Sequence, residues 1–584
     1  MPHRICCACC LFLLAISALL AIVAPISASA SSPKSKSQHD ALADFPTVDP
    51  NYIYDQLFFM ATSFQRREAG YDNNLPVNEN GHDEYAAYWA NELVKNMAGF
   101  GAQVRRDAFP VAGWVGRPAT VPAFNLEVTI PGVTYPAQVV VIGCHYDGEA
   151  VSTQSANDDA SGCAIELGVA RAMGIYWRSH HTYPARTLRF VIFDAEEQGL
   201  YGSFHYLNST VNGDVNNIVA MFNEEQNGIA YPLRYLGKMS NPLLPLYVDM
   251  SPLGNSQLYP KQDKLSPQQR ANITQFRALM QQAVTPVFQQ FQALGYQTLV
   301  YQGGSNQDVT RPVFAPDQRN NLHLEDDTLG GSDQIPFTLA GLPCATFAGN
   351  STYYDNNPPP WSYPFDQKED TVQLMNTFAS GSSREAKALV LALALPGMLT
   401  TWMLNQPAVL GRATADKNPI AAISDVGQTV VKQSISLNAA ASYDLGGSTL
   451  NYAWNFGDGS TASGVTVGHT YKTVGAYTLT LTVGSATGAR RISKAINVVS
   501  HSTVYDNPYA GYKADGAPPP NPAVILPIPN DNPTGQMIAT ATATTTAPSN
   551  GANPGTAFML IALVSGIVIV FFVVLFFVRG RKST

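Results

Sequence analysis

Residues 139–203 constrain the fold of this chain more than any other stretch of its sequence. Two apolar runs rich in β-branched residues, 139–144 and 188–193, predict buried parallel strands, and a helix-forming segment at 163–173 lies between them. In an open α/β sheet, ligands bind at the carboxyl ends of the parallel strands. The sequence therefore predicts a functional site at one edge of a sheet.

Polar residues with metal-binding groups stand at the ends of these runs and in the loop between them: His145 and Asp147, Asp158 and Asp159, and Glu196 and Glu197. A single His-x-Asp pair is more often an ordinary hydrogen-bonded couple, and a single Glu-Glu pair is more often a solvated turn. Three such motifs within one stretch favour a metal site, because imidazole and carboxylate groups are common ligands of divalent metals.

These motifs resemble those of the co-catalytic zinc aminopeptidases. The sequence reads HYD at 145–147, ANDDASG at 156–162 and AEEQGLYGS at 195–203. The family includes secreted bacterial leucyl aminopeptidases, aminopeptidase Y and glutamate carboxypeptidase, with the single-zinc glutaminyl cyclases as relatives. The resemblance spans roughly residues 52–406 and implies an α/β fold in three layers, with a mixed β-sheet flanked by helices.

The resemblance also implies two divalent metal ions held by five side chains. The first ion would bind His145, Asp158 and Glu225, and the second would bind Asp158, Glu197 and Asp366, so that Asp158 bridges them. Glu225 stands where the family has aspartate, and a carboxylate one methylene longer can still reach a metal. The expected metal is zinc, with Mn²⁺, Mg²⁺ or Ca²⁺ as alternatives at the second position, where all ligands are oxygen atoms.

The closing part of the site departs from the family pattern. Gln334 stands at a family histidine, and Asp366 stands at the last histidine ligand. His323 is an alternative ligand. A tyrosine beside the last ligand is replaced by Phe365, with Tyr363 as a stand-in. Three outcomes follow: a two-metal site with altered metal preference, a single-metal enzyme, or a degenerate site.

The resemblance assigns catalytic roles to two residues. Glu196 would be the general base, taking a proton from a metal-activated water and later protonating the leaving amine. Asp147 would accept a hydrogen bond from the ring of His145 and so fix its tautomer. The substrates would be peptides or protein N-termini, whose free α-amine is captured by acidic groups.

Patterns elsewhere predict the remaining elements of this region. Amphipathic spacing predicts helices at 83–100 and 268–294, and apolar runs predict strands at 104–109, 124–130 and 218–223. Only Cys144, Cys163 and Cys344 remain once a predicted signal peptide is removed, so at most one disulfide is expected.

Residues 418–500 alternate with period two and predict an immunoglobulin-like β-sandwich. The sequences YAWNFGDGS at 452–460, HTY at 469–471 and GAYTLTL at 475–481 resemble the polycystic kidney disease (PKD) domain, with Trp454 as the core aromatic residue. Such domains are extracellular spacers or weak binders of protein or polysaccharide, and a plain spacer is favoured here.

The termini predict a membrane-anchored surface protein. The apolar run 557–578 is long enough to span a bilayer, and the basic tail after it indicates that the preceding chain is extracellular. The predicted segments are a signal peptide (1–30), a flexible segment (31–48), a metallopeptidase domain (49–406), a PKD domain (417–500), a Pro/Thr/Ala-rich stalk (501–555), a transmembrane helix (557–578) and a cytoplasmic tail (579–584). The net charge of −8, without a basic patch, gives no indication of nucleic-acid binding.

Three functions are consistent with these features. The first is a metal-dependent aminopeptidase at the cell surface. The second is a catalytically weak or inactive peptidase-fold protein that acts in surface binding or adhesion, which the changes at Gln334 and Asp366 motivate. The third is a glutaminyl cyclase. The presence of both Glu196 and Glu197 favours catalysis, because a drifting inactive protein has no need for both.

Overall fold

The structure is a computed structural model of the chain. It describes residues 44, 46–70, 81–112, 120–210, 212–228, 234–235, 238–239, 246–256, 258–295, 298–302, 308–312, 322–327, 331–348, 366–380, 386–414, 418–424 and 426–502. The chain divides into the units Met1–Asp44 and Phe45–Thr584, and every element below belongs to the second. The predicted signal peptide, transmembrane helix and cytoplasmic tail lie outside the described residues, as does the stalk beyond residue 502. Within the described ranges, no helix is both long and apolar enough to cross a bilayer.

An eight-stranded mixed sheet forms the centre of the first module. Its strands are β1 (Gln103–Ala112), β2 (Thr120–Ile130), β3 (Tyr135–His145), β4 (Arg186–Phe193), β5 (Ile218–Glu225), β6 (Leu246–Met250), β7 (Leu322–Asp326) and β8 (Cys344–Ala348). They lie in the order β1-β2-β4-β3-β5-β8-β6-β7. The four central strands β4, β3, β5 and β8 are parallel, whereas β1, β2 and β6 each run antiparallel to a neighbour.

Helices cover this sheet. They are α1 (Pro50–Ser63), α2 (His82–Asn96), α3 (Ser161–His180), α4 (Tyr201–His205), α5 (Pro267–Ala293), α6 (Ile335–Leu339), α7 (Val372–Ser380) and α8 (Ala386–Leu404). Short antiparallel pairs join Tyr183–Pro184 to Arg412–Ala413, Thr298–Gln302 to Asp308–Pro312, and Arg234–Tyr235 to Lys238–Met239. The mixed α/β architecture predicted from the sequence is confirmed.

Sequence patterns account for the central layer. Alternate residues of β3 face opposite sides of the sheet. Val140 and Ile142 join the buried cluster that includes α1, α2, α3 and α8, while Val139 and Val141 join a second cluster that includes Phe337 of α6. Because both faces are covered, the strand reads as a continuous apolar run rather than as an alternating one.

The predicted elements of this module are present. The runs at 139–144 and 188–193 lie within β3 and β4, which pair in parallel, and the segment at 163–173 lies within α3. The helix predicted at 268–294 is α5, which begins with a capping box formed by Ser266 and Gln269. The helix predicted at 83–100 ends earlier, at Asn96, since Gly99 and Gly101 adopt positive φ angles of 91° and 69°.

One disulfide ties β3 to α3. It joins Cys144 and Cys163, both fully buried, and Cys344 remains a free buried thiol. The expectation of at most one disulfide is therefore confirmed. The bond closes a loop with a sequence separation of 19 residues, for which chain entropy alone gives a stabilisation of about 3 kcal/mol.

The second module contains only strands among its described residues. These are β9 (Thr429–Val430), β10 (Ser434–Asn438), β11 (Asn451–Asn455), β12 (Thr461–Ser463), β13 (Thr466–Thr470), β14 (Gly475–Ser485) and β15 (Gly488–Val499). A five-stranded sheet in the order β9-β15-β14-β11-β12 lies with the pair β10-β13 around one core. Trp454 is 2% exposed in that core, as predicted, and its indole N–H donates to the carbonyl oxygen of Gly464 at 2.9 Å.

Candidate metal centre

Three neighbouring strands bring the predicted site residues to one edge of the sheet. β3 ends at His145, β4 ends shortly before Glu196 and Glu197, and β5 ends at Glu225. The turn Ala156–Ala160, which precedes α3, carries Asp158 and Asp159. Because β4, β3 and β5 are adjacent and parallel, their carboxyl ends meet at this edge.

The ligand atoms of these residues form two compact groups. In the first group, atoms of His145, Asp158 and Glu197 all lie within 4.8 Å of one another, and atoms of His145, Asp159 and Glu225 form the second group. The Nε2 atom of His145 lies 2.9 Å from Oδ1 of Asp158 and 3.8 Å from Oε1 of Glu225. These separations bracket the values of about 3.3–3.6 Å that tetrahedral zinc with bonds of ~2.0–2.2 Å requires.

The charges at this edge also fit a bound cation. Nε2 of His145 and Oδ1 of Asp158 lie 2.9 Å apart. An unprotonated imidazole nitrogen and a carboxylate oxygen both accept hydrogen bonds, so a proton or a metal ion must lie between these two atoms. Burial lowers the pKa of His145, but the carboxylates of Glu225 and Glu196 outweigh this effect and raise that pKa well above 6.5. Two carboxylate oxygens, Oε1 of Glu197 and Oδ2 of Asp159, are buried without a hydrogen-bond partner in the described part of the chain. The donor set is therefore suited to zinc.

Asp366 lies beside the same carboxylates. Burial and the nearby carboxylates of Asp158 and Glu149 raise its pKa well above the usual range. Burial and Asp366 in turn raise the pKa of Glu197. Oδ1 of Asp366 is buried without a hydrogen-bond partner among the described residues. Asp366 belongs to neither of the two ligand groups described above, but it completes an all-oxygen cluster around Asp158 and Glu197.

Asp147 makes contacts to two parts of the site. Nδ1 of His145 lies 3.2 Å from the backbone carbonyl oxygen of Asp147 and 3.5 Å from its carboxylate. The carboxylate accepts hydrogen bonds from the backbone N–H groups of Glu196, at 3.1 Å, and Glu197, at 3.3 Å. Asp147 thus holds the imidazole mainly through its backbone and the Glu196–Glu197 turn through its side chain.

Glu196 lies near His145, Asp158 and Glu225, the three residues predicted to bind the first ion. Burial raises the pKa of its carboxyl group well above the usual range; His145 opposes this shift, and Glu225 and Asp333 add to it. A raised pKa is the direction that a carboxyl group needs in order to act as both general base and general acid.

Three further residues contribute to the site: Asp159, which the sequence placed among the metal-binding groups without assigning it to an ion, and Gln226 and Asp333, which were given no role. Asp159 accepts hydrogen bonds from the backbone N–H groups of Gly162 and Gln226, at 3.0 and 3.1 Å, and the Gln226 side chain donates to Asp158 at 2.9 Å. Asp333 is fully buried, neither of its carboxylate oxygens has a hydrogen-bond partner among the described residues, and burial raises its pKa to about 7. Asp159 and Asp333 both stand in motifs that resemble the family, which was an available signal, whereas nothing marked Gln226.

The positions that depart from the family pattern have varied surroundings. Gln334 donates to Asp327 at 3.2 Å and accepts from Asn223 at 3.4 Å, and it belongs to neither ligand group. His323 lies in β7, and its side chain is outside the described part of the chain. Tyr363 and Phe365 lie outside the described residues.

Left-handed backbone conformations surround the candidate ligands. Ser155, Ala195, Gln226 and Asp366 have φ angles of 42°, 58°, 46° and 57°. Each such conformation costs a non-glycine residue roughly 1–2 kcal/mol. Strained residues of this kind persist where the surrounding structure holds them, and their concentration at one edge of the sheet points to a functional site.

Comparisons with known proteins agree with this description. Residues 125–275 match peptidase family M28, and residues 416–499 match the PKD domain. Carboxypeptidase Q of Homo sapiens is 39% identical over 87 residues, covering 14% of this chain and 17% of that protein. A protein of Pyricularia oryzae named "Probable zinc metalloprotease" is 33% identical over 137 residues, covering 21% of this chain and 26% of that protein. The chain thus spans about a quarter or less of the length of these relatives.

Several solved structures are also similar to this chain. The LapA aminopeptidase of Legionella pneumophila has a TM-score of 0.38 and 15% identity, covering 66% of this chain and 79% of that one. The zinc aminopeptidase BSAP of Bacillus subtilis has a TM-score of 0.38 and 13% identity, covering 62% and 95%. The glutaminyl cyclase of an Acidobacteriales bacterium has a TM-score of 0.37 and 16% identity, covering 66% and 98%. Residues 125–275 are thus similar to peptidase family M28, and a segment similar to the PKD domain follows them at residues 416–499.

Proposed function

We propose that this protein is a metal-dependent aminopeptidase that removes residues from the N-termini of peptides. The observation that carries the proposal is the meeting of His145, Asp158, Glu197 and Glu225 at one buried edge of the sheet. A single imidazole among many carboxylates is a donor set for divalent cations, and the match of residues 125–275 to peptidase family M28 supports a peptidase.

The proposed ligands of the first ion are His145, Asp158 and Glu225, and those of the second are Asp158, Glu197 and Asp366. Asp159 is an additional candidate for the first position, because it groups with His145 and Glu225. When bound, such ions lower the pKa of a water molecule and polarise the scissile carbonyl. Glu196 takes a proton from the attacking water and delivers it to the leaving amine.

The surplus of negative charge supports the exopeptidase part of the proposal. Glu149 lies close to Asp147 and Asp158, and burial raises its pKa to about 8. In the described part of the chain, the ion pairs of Asp158 and Glu225 involve only His145. A site with surplus negative charge attracts cationic groups, and the protonated α-amine of a peptide is such a group.

A glutaminyl cyclase is the second candidate, and Asp333 is the observation that favours it. A buried carboxyl group with a pKa of about 7 and no hydrogen-bond partner among the described residues is suited to proton transfer without a second metal ion. The replacement of the last histidine by Asp366 also weakens the second zinc position, since zinc prefers nitrogen donors there.

One experiment separates these functions. The purified full-length protein is assayed with aminoacyl-nitroanilides and with an N-terminal glutaminyl peptide, after removal of metal and after addition of Zn²⁺ or Mn²⁺. An aminopeptidase releases nitroaniline, whereas a cyclase releases ammonia and leaves the peptide chain intact. Inactivity toward both substrates, with no metal bound, would leave only the surface-binding function.

The role of Glu196 is tested by Glu196→Gln. We expect kcat to fall about 10²–10⁴-fold, which is the usual contribution of general acid–base catalysis, while metal content stays the same. Glu92→Gln is the matched control, because Glu92 pairs with Lys95 on α2. A Glu196→Gln variant with the activity of the parent would refute the assignment.

A further inference from the structure

Arg67 is a buried cation that donates hydrogen bonds to the loops of the metal centre as well as to the carbonyl oxygen of Phe64 at 3.4 Å. It follows α1 in the chain, and its side chain is 1% exposed. Its Nε donates to the carbonyl oxygen of Tyr146 at 2.7 Å. Its terminal nitrogens donate to the carbonyl oxygens of Gln154 at 2.6 Å and Ser155 at 3.0 Å. One guanidinium therefore joins the residue after His145 to the turn that leads to Asp158.

The backbone around Arg67 makes further bonds to the same loop. The carbonyl oxygen of Arg67 accepts from the N–H of Gly148 at 3.3 Å, and the N–H of Arg66 donates to the carbonyl oxygen of Thr153 at 2.9 Å. A Cβ atom at Gly148 would lie 2.1 Å from Oγ of Ser155, so only glycine fits there. Residues 66–67 are thus bonded to both ends of the loop between His145 and Asp158, at residues 146 and 148 and at residues 153–155.

Asp370 holds the following residues from another direction. Its carboxylate accepts hydrogen bonds from the backbone N–H of Asn157 at 2.9 Å and from that of Asp158 at 3.1 Å. The carbonyl groups before Asp158 therefore bond to a cation, and the N–H groups at Asp158 bond to an anion. These opposite bonds define the position of the Asp158 backbone without any contribution from a metal.

The choice of arginine follows from this geometry. A guanidinium presents donors in a rigid planar fork, whereas lysine presents its donors at a single point. The guanidinium of Arg67 stacks on the ring of Tyr85, whose centre lies 4.5 Å from the guanidinium carbon. In the described part of the chain, every hydrogen-bond acceptor of Arg67 is a backbone carbonyl oxygen. A buried charge without a carboxylate partner is costly, which argues that its position serves the site.

We infer that Arg67 is a positioning residue that sets the ligand geometry of the metal centre before the metal binds. The inference rests on the proposed function, because it takes His145 and Asp158 as metal ligands. Groups that orient metal ligands commonly contribute 10–100-fold to metal affinity. Arg67 contributes in this way through peptide groups rather than through the ligand side chains themselves.

The test compares Arg67→Met and Arg67→Lys with the parent full-length protein, using zinc titration by calorimetry against a competing chelator. We expect zinc affinity to fall about 10–100-fold in Arg67→Met and by a smaller factor in Arg67→Lys. Arg186→Met is the matched control. Arg186 also donates to a backbone carbonyl oxygen, that of Pro407 at 2.7 Å, but it lies at the opposite end of its strand. A zinc affinity of folded Arg67→Met within twofold of the parent would overturn the inference.

A second measurement covers the case in which Arg67→Met does not fold. Amide hydrogen exchange of the metal-free parent reports on the loop directly. We expect the N–H groups of Gly148, Asn157 and Asp158 to exchange slowly before zinc is added, because all three are already bonded. Protection that arises only after zinc addition would contradict prior positioning. If the parent binds no zinc but shows slow exchange at these amides, the proposed function is wrong, while the positioning of the loop by Arg67 and Asp370 still stands.

Discussion

Asp366 stands where the family pattern has its last histidine ligand, and we propose it as a ligand of the second ion. The proposed ligands of this position, Asp158, Glu197 and Asp366, offer only oxygen atoms, whereas zinc favours a nitrogen donor. His145, which groups with Asp158 and Glu197, is the proposed nitrogen ligand of the first position. Oxygen donors are the preferred ligands of Mn²⁺, Mg²⁺ and Ca²⁺. We therefore expect the number of bound ions to depend on the residue at position 366.

We predict that Asp366→Asn reduces the binding of the second ion at least tenfold and leaves the first ion in place. Groups that merely orient ligands are worth 10–100-fold, and a ligand itself is worth at least as much. Asp366→His, which supplies a nitrogen donor, is expected to increase zinc occupancy at the second position. Metal content after equilibrium dialysis at graded free zinc measures both effects. Glu369→Gln, whose side chain is 51% exposed, is the control, and a first-ion loss in Asp366→Asn would contradict the assignment.

Single residues were predictable from the sequence where they stood in motifs. His145, Asp158 and Glu197 follow from strand ends and motif spacing, and the structure brings all three together. Arg67 was not predictable, because its function depends on carbonyl groups at 146, 154 and 155 that are distant in sequence. Every residue has a backbone carbonyl group, so the side-chain sequence does not indicate which carbonyl groups accept from Arg67.

Elements of the site are joined by a buried histidine. His82 is the first residue of α2, and its Nε2 lies 3.0 Å from the carboxylate of Asp194 while Nδ1 lies 2.9 Å from that of Asp83. Because carboxylates only accept, both ring nitrogens must donate, and the ring is an imidazolium. Asp194 also accepts from the N–H groups of Phe124 and Ala195, each at 2.8 Å. This network connects α2 and β2 to the end of β4, next to Glu196.

We predict that this network makes folding stability depend on pH. Burial lowers the pKa of His82, but Asp194 and Asp83 outweigh it and raise that pKa from 6.5 to about 9. A histidine whose pKa is raised on folding stabilises the protein fully below pH 6.5, and this contribution is lost as the pH rises through 9. The shift corresponds to ~3 kcal/mol.

Urea unfolding of the parent and of His82→Gln between pH 6 and pH 10 measures this contribution. The stability difference between the two proteins is expected to be greatest at pH 6 and to shrink as the pH rises through 9. His180→Gln is the control, because His180 is exposed near the end of α3. A difference that stays constant over this range would show that the imidazolium does not form.

Elements were predictable from periodicity where burial imposes a pattern. The central strands and α3 were predicted because a layer covered on both faces is continuously apolar. The antiparallel position of β6 beside β8 was not predicted, since no strand was predicted within residues 230–320 and the order of strands depends on contacts between distant segments. The ends of helices were less certain, as α2 shows at Asn96.

The whole molecule combines a metal site with a β-sandwich that also contacts the peptidase domain. β15 of the PKD domain contacts the turn Asn212–Asn217 and β3, which carries His145 at its other end. The interpretation of this module as a plain spacer stays a prediction. The predicted module boundaries, including the stalk at 501–555, stay predictions.

Membrane anchoring of the molecule depends on residues 557–578, which lie outside the described residues. An apolar run of this length is sufficient to span a bilayer, and the basic residues after it favour a cytoplasmic tail. We predict that the full chain stays in the membrane pellet after alkaline carbonate extraction, whereas a chain that ends at residue 556 is released with its metal content unchanged. Recovery of the full chain in the carbonate supernatant would contradict a spanning helix. It would leave the metal site untouched, because that site is built entirely from residues 67–370.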